Sequence, residues 1–328
     1  MDMQSKEDKK YTILVSGASG IVGYGILKSL RERGDCFLIG TTIYPVSPAN
    51  CFSDIVKIVP KTDDPGYIDF LKSLIREYSV DMIIPAIEAD MKSWNINREA
   101  LEKTGTFVML NTPSLVNRCL DKWLFYSRLE EAGYEGRIRT VIEREKAEFD
   151  LPWIIKPRCG FGARGVELIN SPEQLQDHEE RIGSELMIQE YVGTSEEEYT
   201  VSAFFDRDSG MKAVMAMRRK LAKAGFTEMA EVVDAGEFLN AIRELAGIFK
   251  PVGPTNFQFR KHNGGLKLLE INPRISSSTS LRTKFGYNEC SMTVDYFLDH
   301  IEITQPEIRK GSAIRYTEDF IFYDSDNI

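Results

Sequence analysis

The alternation of apolar and amphipathic segments over the first third of the chain predicts a parallel α/β sheet. Residues 11–16, 37–44 and 80–85 are short apolar runs of the length and composition of buried strands. Amphipathic stretches at 24–33 and 67–78 separate these runs and predict helices. Strands that alternate with helices form open, mostly parallel sheets, which bind ligands beyond the carboxyl ends of their strands. We therefore predict a Rossmann-like unit at the start of the chain.

A period-two pattern nearer the other end of the chain predicts a β-hairpin. Residues 257–260 and 266–272 both alternate apolar and polar side chains, as strands with one buried face do. Between them lies the sequence His-Asn-Gly-Gly at 262–265, whose residues tolerate the positive φ angles of a tight turn. The two runs are therefore expected to pair as neighbouring antiparallel strands.

One face of this hairpin is expected to gather oxygen ligands. Side chains two positions apart on a strand share a face, which predicts that Leu268, Glu270 and Asn272 lie on the same side. Gln258 joins them if the neighbouring strand brings its outward face alongside. A carboxylate and two carboxamides suit Mg2+, which takes the rest of its shell from water and substrate phosphates. Arg274, two residues further on, would place a guanidinium on phosphoryl oxygens, whereas the alternative is a set of ordinary solvated side chains.

A glycine-rich segment in the middle of the chain is the second candidate for phosphate binding. Residues 152–157 and 166–169 read as strands, and the sequence RCGFGARG at 158–165 joins them. Lys156, at the end of the first strand, would place its ammonium group on the nucleotide phosphates. The glycines that would let backbone N–H groups approach the phosphates are Gly160, Gly162 and Gly165. A flexible surface hairpin without a ligand is the alternative.

The first strand is followed by a glycine turn with the spacing G-x-x-G-x-x-G. Gly17, Gly20 and Gly23 precede a helix whose N-terminal N–H groups could receive an anion, as in dinucleotide-binding proteins. The second strand ends without the acidic residue that holds a ribose in such sites. Tyr24 and Lys28 match the Tyr-x-x-x-Lys spacing of short-chain reductases, but they lie in the first helix, so we interpret the match as coincidence. Glycines that serve only a tight turn and close helix packing are the alternative.

Composition limits the classes of partner. The 328 residues carry a formal net charge of −9, which argues against a nucleic-acid-binding surface because such surfaces are basic. The first ten residues lack the apolar core of a signal peptide, and no later run has the length of a membrane span. The five cysteines show no metal-ligand spacing, which fits reduced thiols. We expect a cytoplasmic protein that does not act on membranes or nucleic acids.

The segment LLEINPRISSSTSL, residues 268–281, resembles the metal-binding segment of the ATP-grasp superfamily. The match is to the version of this segment found in carbamoyl-phosphate synthetase large subunits and in the related small amino-acid ligases. The resemblance implies that Gln258 and Glu270 bind one Mg2+, that Glu270 and Asn272 bind a second, and that Arg274 steadies the phosphoryl group. It also implies ATP as the nucleotide, with Leu268 lining its pocket and Mn2+ able to replace Mg2+.

The same resemblance assigns nucleotide contacts along the rest of the chain. Lys122 would contact the α-phosphate, and Lys156 with the glycine flap would hold the phosphates. The backbone of a hinge would pair with the adenine edge, and Glu198 would accept from the ribose hydroxyls. The hinge residues are Gln189, Glu190, Tyr191 and Val192.

Two further pairs are candidates for the remaining substrates. Glu88 and Asp90 follow the third apolar run and resemble an acidic pair that holds a substrate ammonium group, with helix N-capping as the alternative. Arg218 and Lys220 resemble a basic segment beside the acyl-phosphate site, with a charged hairpin face as the alternative.

The resemblance implies an α/β protein of ATP-grasp fold. A Rossmann-like pre-ATP-grasp domain would cover residues 1–112, and the ATP-grasp domain would cover 113–328. Within the latter, a small flap-bearing lid at 140–192 would precede the larger metal-binding subdomain.

By the same resemblance, the expected activity is ATP-dependent and ADP-forming. Such proteins phosphorylate a small carboxylate to an acyl phosphate, which an amine or thiol then attacks, and a homodimer is the default assembly. Carbamoyl-phosphate synthetases carry a second arginine three residues beyond the first, where this chain has Ser277. We therefore prefer a carboxylate-amine ligase and keep a carboxylate kinase of the carbamoyl-phosphate synthetase type as a second hypothesis. A non-catalytic ATP-binding regulatory protein and an NAD(P)-dependent reductase are the third and fourth hypotheses.

Overall fold

The computed structural model of the protein describes residues 6, 9–160, 165–223 and 225–321. They form two compact units, neither of which is continuous in sequence. Unit 1 contains the chain up to Asn111, Arg274–Arg309 and the chain from Ala313, and unit 2 contains Thr112–Pro273 with Lys310–Ser312. The sequence-based boundary at residue 112 assigns Arg274–Arg309 to the second domain, whereas this stretch belongs to unit 1. As a division into functional domains, that boundary stays a prediction.

Strands and helices alternate along the first part of unit 1. Its elements are β1 (Tyr11–Val15), α1 (Ile21–Arg31), β2 (Cys36–Thr42), β3 (Ile55–Ile58), α2 (Tyr67–Tyr78), β4 (Met82–Ile84), α3 (Glu88–Ile96), α4 (Arg98–Glu102) and β5 (Phe107–Val108). The strands form a sheet in the order β3-β2-β1-β4-β5, and each described pairing in it is parallel. The parallel α/β sheet predicted from the apolar runs is confirmed.

A tight turn between β1 and α1 explains two of the three glycines in the predicted anion-binding motif. Gly17 has a φ of 56°, in the left-handed region that favours glycine. A Cβ atom on Gly23 would lie 2.4 Å from the Gly17 carbonyl oxygen and 2.6 Å from the Ala18 Cα. The nearest neighbour of a Cβ atom on Gly20 would be the Gly17 oxygen at 3.4 Å, an ordinary contact. Packing therefore accounts for Gly17 and Gly23 without a ligand.

Unit 2 contains two antiparallel sheets. Its elements are α5 (Pro113–Leu120), α6 (Lys122–Glu131), β6 (Thr140–Val141), β7 (Trp153–Pro157), β8 (Glu167–Ile169), β9 (Leu186–Glu190), β10 (Glu198–Phe205), β11 (Met211–Leu221), β12 (Thr227–Val233), α7 (Leu239–Phe249), β13 (Gly253–His262) and β14 (Gly265–Asn272). The smaller sheet has the order β6-β9-β7-β8. The larger sheet begins β14-β13-β10-β11-β12, and Gly311 O accepts a hydrogen bond from Val232 N at its edge.

Each sheet of unit 2 has its own hydrophobic core. In the larger sheet, the side chains on one face pack with apolar residues of α6 and α7, such as Phe125 and Ile242. The polar side chains on β10 and β13 alternate with these apolar ones and so point to the opposite face. The smaller sheet packs around Trp153, Ile155 and Leu175. The alternation therefore lines one face of the larger sheet with polar side chains.

The chain beyond β14 contributes α8 (Thr279–Lys284), α9 (Glu289–Phe297) and β15 (Ser312–Ile314). In unit 1, Arg282 of α8 and Glu289 of α9 form a buried ion pair, with 2.7 Å between Nη1 and Oε1. Arg282 also donates to Ser276 Oγ, which connects α8 to the segment before it. Thr283 Oγ1 donates to Ser29 Oγ and ties α8 to α1. These contacts anchor the C-terminal helices on the first helix of the chain.

Among the residues that the structure describes, we find no helix with the length and apolar character needed to span a membrane.

The contacts of Gly23 generate a stability prediction. Gly23→Ala should lower the free energy of unfolding by about 2 kcal/mol, because the new methyl group would collide with backbone atoms that can move only by shifting the turn. Gly20→Ala, the matched control, should cost no more than about 1 kcal/mol, since its Cβ meets only an ordinary contact. Urea denaturation of the three proteins would measure the difference. Equal losses in the two variants would contradict the packing explanation.

Candidate active site

The β13-β14 hairpin brings three predicted metal ligands together. Gln258 lies directly opposite Glu270 in the antiparallel ladder, so their side chains project from the same face. Asn272 Nδ2 donates to Glu270 Oε1 at 2.9 Å. The turn uses Asn263 and Gly264 in left-handed conformations, with φ angles of 50° and 76°. The structure thus places a carboxylate and two carboxamides side by side, as the residue pattern predicts.

Leu268 does not share this face, and the prediction that it does is wrong. The register shifts between Gln258 and Phe259, where Phe259 pairs with Leu268 and Leu269 is the extra residue of a β-bulge. The bulge turns the Leu268 side chain to the other side of the strand. It is fully buried in the core of the larger sheet together with Phe259 and Ile271. Leu268 therefore packs the sheet and does not line the polar face.

A buried network of charges lies beside Gln258 on the same face. Glu198 is 3% exposed and accepts hydrogen bonds from two guanidiniums, Arg219 Nη2 at 2.8 Å and Arg260 Nη2 at 2.9 Å. Arg219 Nη2 also donates to Gln258 Oε1 at 2.5 Å. Both carboxylate oxygens of Glu198 thus already accept from arginines. The role of Glu198 as a ribose acceptor stays a prediction, and a ribose would share it with this network.

The structure places Arg218 and Lys220 on the other face of β11. Arg218 is in register with Tyr199, whose ring lies in the core, and its guanidinium pairs with Glu231 at 2.6 Å. Because side chains alternate along a strand, the face that carries Gln258 receives the intervening Arg219. The prediction that Arg218 and Lys220 belong to the site is therefore wrong. Their side chains point away from the face that carries Gln258, Glu270 and Asn272 and form the charged hairpin face instead.

Lys156 and Lys122 supply positive charge at the end of the site where phosphates are expected. Lys156 Nζ lies 3.4 Å from Tyr126 OH, and Tyr126 OH donates to the carbonyl oxygen of Leu269 at 2.5 Å. Burial and the neighbouring Lys122 cation lower the pKa of Lys156 to about 7. The Glu270 carboxylate acts on the pKa of Lys156 in the opposite direction, so Lys156 lies within electrostatic range of Glu270.

The glycine-rich segment is described up to Gly160 and again from Gly165. Gly160 and Gly165 have φ angles of 126° and 70°, which favour glycine. Lys122 Nζ donates to the carbonyl oxygen of Gly160 at 2.5 Å, so the start of α6 is bonded to the flap. The flap joins two antiparallel strands, β7 and β8, as predicted. Gly162 lies outside the described residues.

The hinge residues extend from the end of β9. The Gln189 side chain is buried and donates to Thr140 Oγ1, and an ion pair with Arg139 lowers the pKa of Glu190. The carbonyl oxygen of Val192 accepts a hydrogen bond of 3.4 Å from Arg260. Tyr191, between them, is 38% exposed.

Arg260 connects the hinge to Glu198, a role that the residue pattern did not reveal. It lies two residues beyond Gln258 on β13, and its guanidinium contacts both Val192 O and Glu198. The available sequence signal was its spacing from Gln258, because side chains two residues apart on β13 share one face. Only the strand order shows that Glu198 lies on the adjacent strand, where Arg260 can reach it.

In unit 1, the Asp90 carboxylate is buried and accepts hydrogen bonds from neighbouring side chains. Its carboxylate accepts from Thr62 Oγ1 at 2.6 Å and from Tyr67 OH at 2.8 Å, and it is 3% exposed. Burial raises the pKa of Tyr67, which keeps its hydroxyl a donor to Asp90. The predicted ammonium-binding role of Asp90 therefore gives way to a structural one. Glu88 is in the first turn of α3 and is half-buried, and its role stays a prediction.

Arg274 begins the second stretch of unit 1, one residue after Pro273 ends the first stretch of unit 2. Its Nη1 atom donates to the carbonyl oxygen of Ile275 at 2.9 Å. The role of Arg274 at a phosphoryl group stays a prediction.

Two family models match separate parts of the chain. A model described as "ATP-grasp in the biosynthetic pathway with Ter operon" matches residues 183–320. A model described as "PylC-like, N-terminal domain" matches residues 22–109. The first match includes the β13-β14 hairpin, and the second covers most of the parallel sheet.

Curated relatives include carbamoyl phosphate synthase large chains. That of Methanothrix thermoacetophila is 27% identical over 318 residues, which is 86% of this chain and 28% of the relative. That of Methanosarcina acetivorans is 23% identical over 322 residues, 86% of this chain and 29% of the relative. The chain thus spans less than a third of the length of these relatives.

Solved structures share the fold at low sequence identity. The N5-carboxyaminoimidazole synthetase of Staphylococcus aureus, complexed with ADP, has a TM-score of 0.73 at 15% identity and covers 94% of this chain and 83% of that one. The L-amino acid ligase of Bacillus licheniformis has a TM-score of 0.66 at 14% identity, with 88% and 74% covered. The match of the ATP-grasp model to residues 183–320 confirms the resemblance to the ATP-grasp superfamily seen in residues 268–281, and these solved structures share the fold of the chain.

Proposed function

We propose that this chain is an ATP-dependent, ADP-forming ligase that joins a small carboxylate to an amine through an acyl phosphate. One observation carries the proposal. Glu270, Gln258 and Asn272 share one face of a sheet, and Lys156 lies within electrostatic range of both Glu270 and Lys122. A cluster of oxygen ligands near two lysines suits a nucleotide triphosphate with its divalent ion.

The proposed reaction has two steps. In the first, a carboxylate oxygen of the substrate attacks the γ-phosphorus of ATP, and the bond from that phosphorus to the bridging oxygen breaks. ADP leaves with the bridging oxygen, and the substrate becomes an acyl phosphate. In the second step the amine attacks the acyl carbon, the carbon–oxygen bond to phosphate breaks, and inorganic phosphate leaves. The surplus proton of the amine passes to solvent.

The protein's contribution to such a transfer is positioning and charge neutralisation. Lys156 and Lys122 would hold the phosphates, the backbone from Glu190 to Val192 would bind the adenine edge, and Arg274 would contact the phosphoryl group. Glu270 and Asn272 would hold Mg2+, whose charge offsets that of the phosphates. The described residues contain no group of three acidic, histidine or cysteine ligands. Phosphate oxygens and water would therefore complete the metal shell.

The similar structures support the proposed class of substrate. The similar structures are named as N5-carboxyaminoimidazole synthetases, an L-amino acid ligase and biotin carboxylases, and one of the last is a dimer with ADP, magnesium and bicarbonate. Ser277 stands where carbamoyl-phosphate synthetases carry a second arginine, so we propose a small carboxylic acid different from the one that those synthetases phosphorylate. A cytoplasmic homodimer remains the expected form.

Hydroxylamine trapping tests the acyl-phosphate step. With Mg-ATP, hydroxylamine and a panel of amino acids and small carboxylates, the protein should release ADP and form a hydroxamate with at least one acid. Glu270→Gln should lower this rate by roughly 100-fold or more, because it removes the negative charge that would hold the metal. Glu231→Gln, on the opposite face of the larger sheet, is the matched control and should keep the wild-type rate. A wild-type rate of hydroxamate formation by Glu270→Gln would contradict the site assignment.

The lowered pKa of Lys156 generates a pH prediction. A side chain with a pKa of about 7 loses its charge as the pH rises through neutrality, and only the protonated form attracts phosphate. The affinity for a non-hydrolysable ATP analogue should therefore fall about fivefold between pH 7 and pH 8, with proton uptake on binding at the higher pH. Titration calorimetry in buffers of different ionisation enthalpy measures both effects.

Lys156→Arg is the matched variant for this experiment. An arginine stays charged over the whole range, so its pH dependence should flatten. A wild-type dissociation constant that is the same at pH 6, 7 and 8 would show that Lys156 does not bind the nucleotide as a titrating cation.

A further inference from the structure

Arg219 is a buried cation that contacts a predicted metal ligand. Its side chain is 6% exposed, although its neighbours Arg218 and Lys220 are both exposed. The guanidinium donates from Nη2 to Gln258 Oε1 at 2.5 Å and to Glu198 Oε1 at 2.8 Å. Its Nε atom donates to the same oxygen of Glu198 at 3.1 Å. The guanidinium is therefore held in one position, directed at Gln258.

This contact changes what Gln258 can do. A carboxamide has only one atom that binds a hard cation, the oxygen, because its nitrogen is a donor. In Gln258 that oxygen accepts from a guanidinium. A divalent ion on the same oxygen would stand within a few ångströms of a fixed positive charge in a partly buried site, where repulsion is weakly screened. Gln258 is thus a poor ligand for a metal ion.

The surrounding charges do not cancel that of Arg219. Glu198 is shared between Arg219 and Arg260, so two guanidiniums face one carboxylate. The network therefore presents a net positive charge beside Gln258. The part of the site on β14 differs, since it contains the Glu270 carboxylate, which accepts a hydrogen bond from Asn272. The cationic network thus reaches Gln258, and the anionic Glu270 lies opposite Gln258 on β14.

We propose that the Arg219 guanidinium supplies the positive charge that the superfamily resemblance assigns to a second metal ion between Gln258 and Glu270. The nucleotide complex then contains one divalent ion, held by Glu270, Asn272 and the phosphates. Gln258 serves as the acceptor that orients Arg219, and Glu198 fixes the guanidinium from its other side. This inference rests on the proposed function, because it requires that the site bind a nucleotide.

Equilibrium dialysis against Mn2+ and AMP-PNP tests the proposal by counting ions. The protein chamber would be analysed for its excess of manganese and its excess of nucleotide, with nucleotide at saturation. The wild-type protein should show a ratio of one manganese to one nucleotide. A ratio of two would overturn the proposal while leaving the proposed function intact. Absence of bound nucleotide would instead overturn the proposed function, and with it this inference.

Variants of β11 extend the test. Arg219→Gln removes the charge, so the manganese ratio should rise from one toward two as an ion replaces the guanidinium. Arg218→Gln, the next residue on the opposite face, is the matched control and should stay at one. Circular dichroism would show whether Arg219→Gln folds, since this change leaves the buried Glu198 carboxylate with one arginine partner fewer. If it does not fold, the double variant Arg219→Gln with Glu198→Gln removes that carboxylate charge as well. A ratio of one in folded, nucleotide-bound Arg219 variants would contradict the role of Arg219.

Discussion

The register of β13 against β14 is the constraint on which the candidate site depends. Pairing Gln258 with Glu270 places two polar side chains on one face, and the bulge at Leu269 then returns Leu268 to the core, where Ile271 also lies. A regular strand would have required either a leucine on the polar face or a glutamate in the core. Because a one-residue slip exchanges the two faces, the apolar residues of the hairpin and the core beneath it hold the polar face in place.

Positive charge is concentrated around the candidate site in a chain whose net charge is −9. Burial and the nearby cations of Lys122 and Arg260 lower the pKa of Lys156. Holding like charges close together is costly in the absence of an anion. The same arrangement becomes favourable when phosphates arrive, so the site stores unfavourable electrostatics that a polyanionic ligand relieves. The carboxylates of Glu198 and Glu270 limit this cost.

Unit 1 shows how a motif can look functional and be explained by packing. The spacing of Gly17, Gly20 and Gly23 is that of dinucleotide-binding turns, and the parallel sheet beside it has the appropriate topology. The backbone distances around Gly23 demonstrate that close approach of α1 already requires a glycine there. Asp90 behaves similarly, since a buried tyrosine and threonine hold its carboxylate. In both cases the structure supplies a reason for the residue that needs no ligand.

Local side-chain alternation was enough to predict the elements with strong periodicity and the residues whose spacing carries chemistry. These are the parallel sheet, the hairpin with its Asn-Gly turn, the antiparallel strands of the flap, and the shared face of Gln258, Glu270 and Asn272. Which of three consecutive basic residues, Arg218 to Lys220, faces the site became clear only from the folded chain. The choice of Arg219 depends on strand order, and the burial of Leu268 depends on a bulge. Both features arise from contacts between residues far apart in the chain. The burial of Asp90 and the bridging of Glu198 by Arg219 and Arg260 are long-range for the same reason, so no local pattern encodes them.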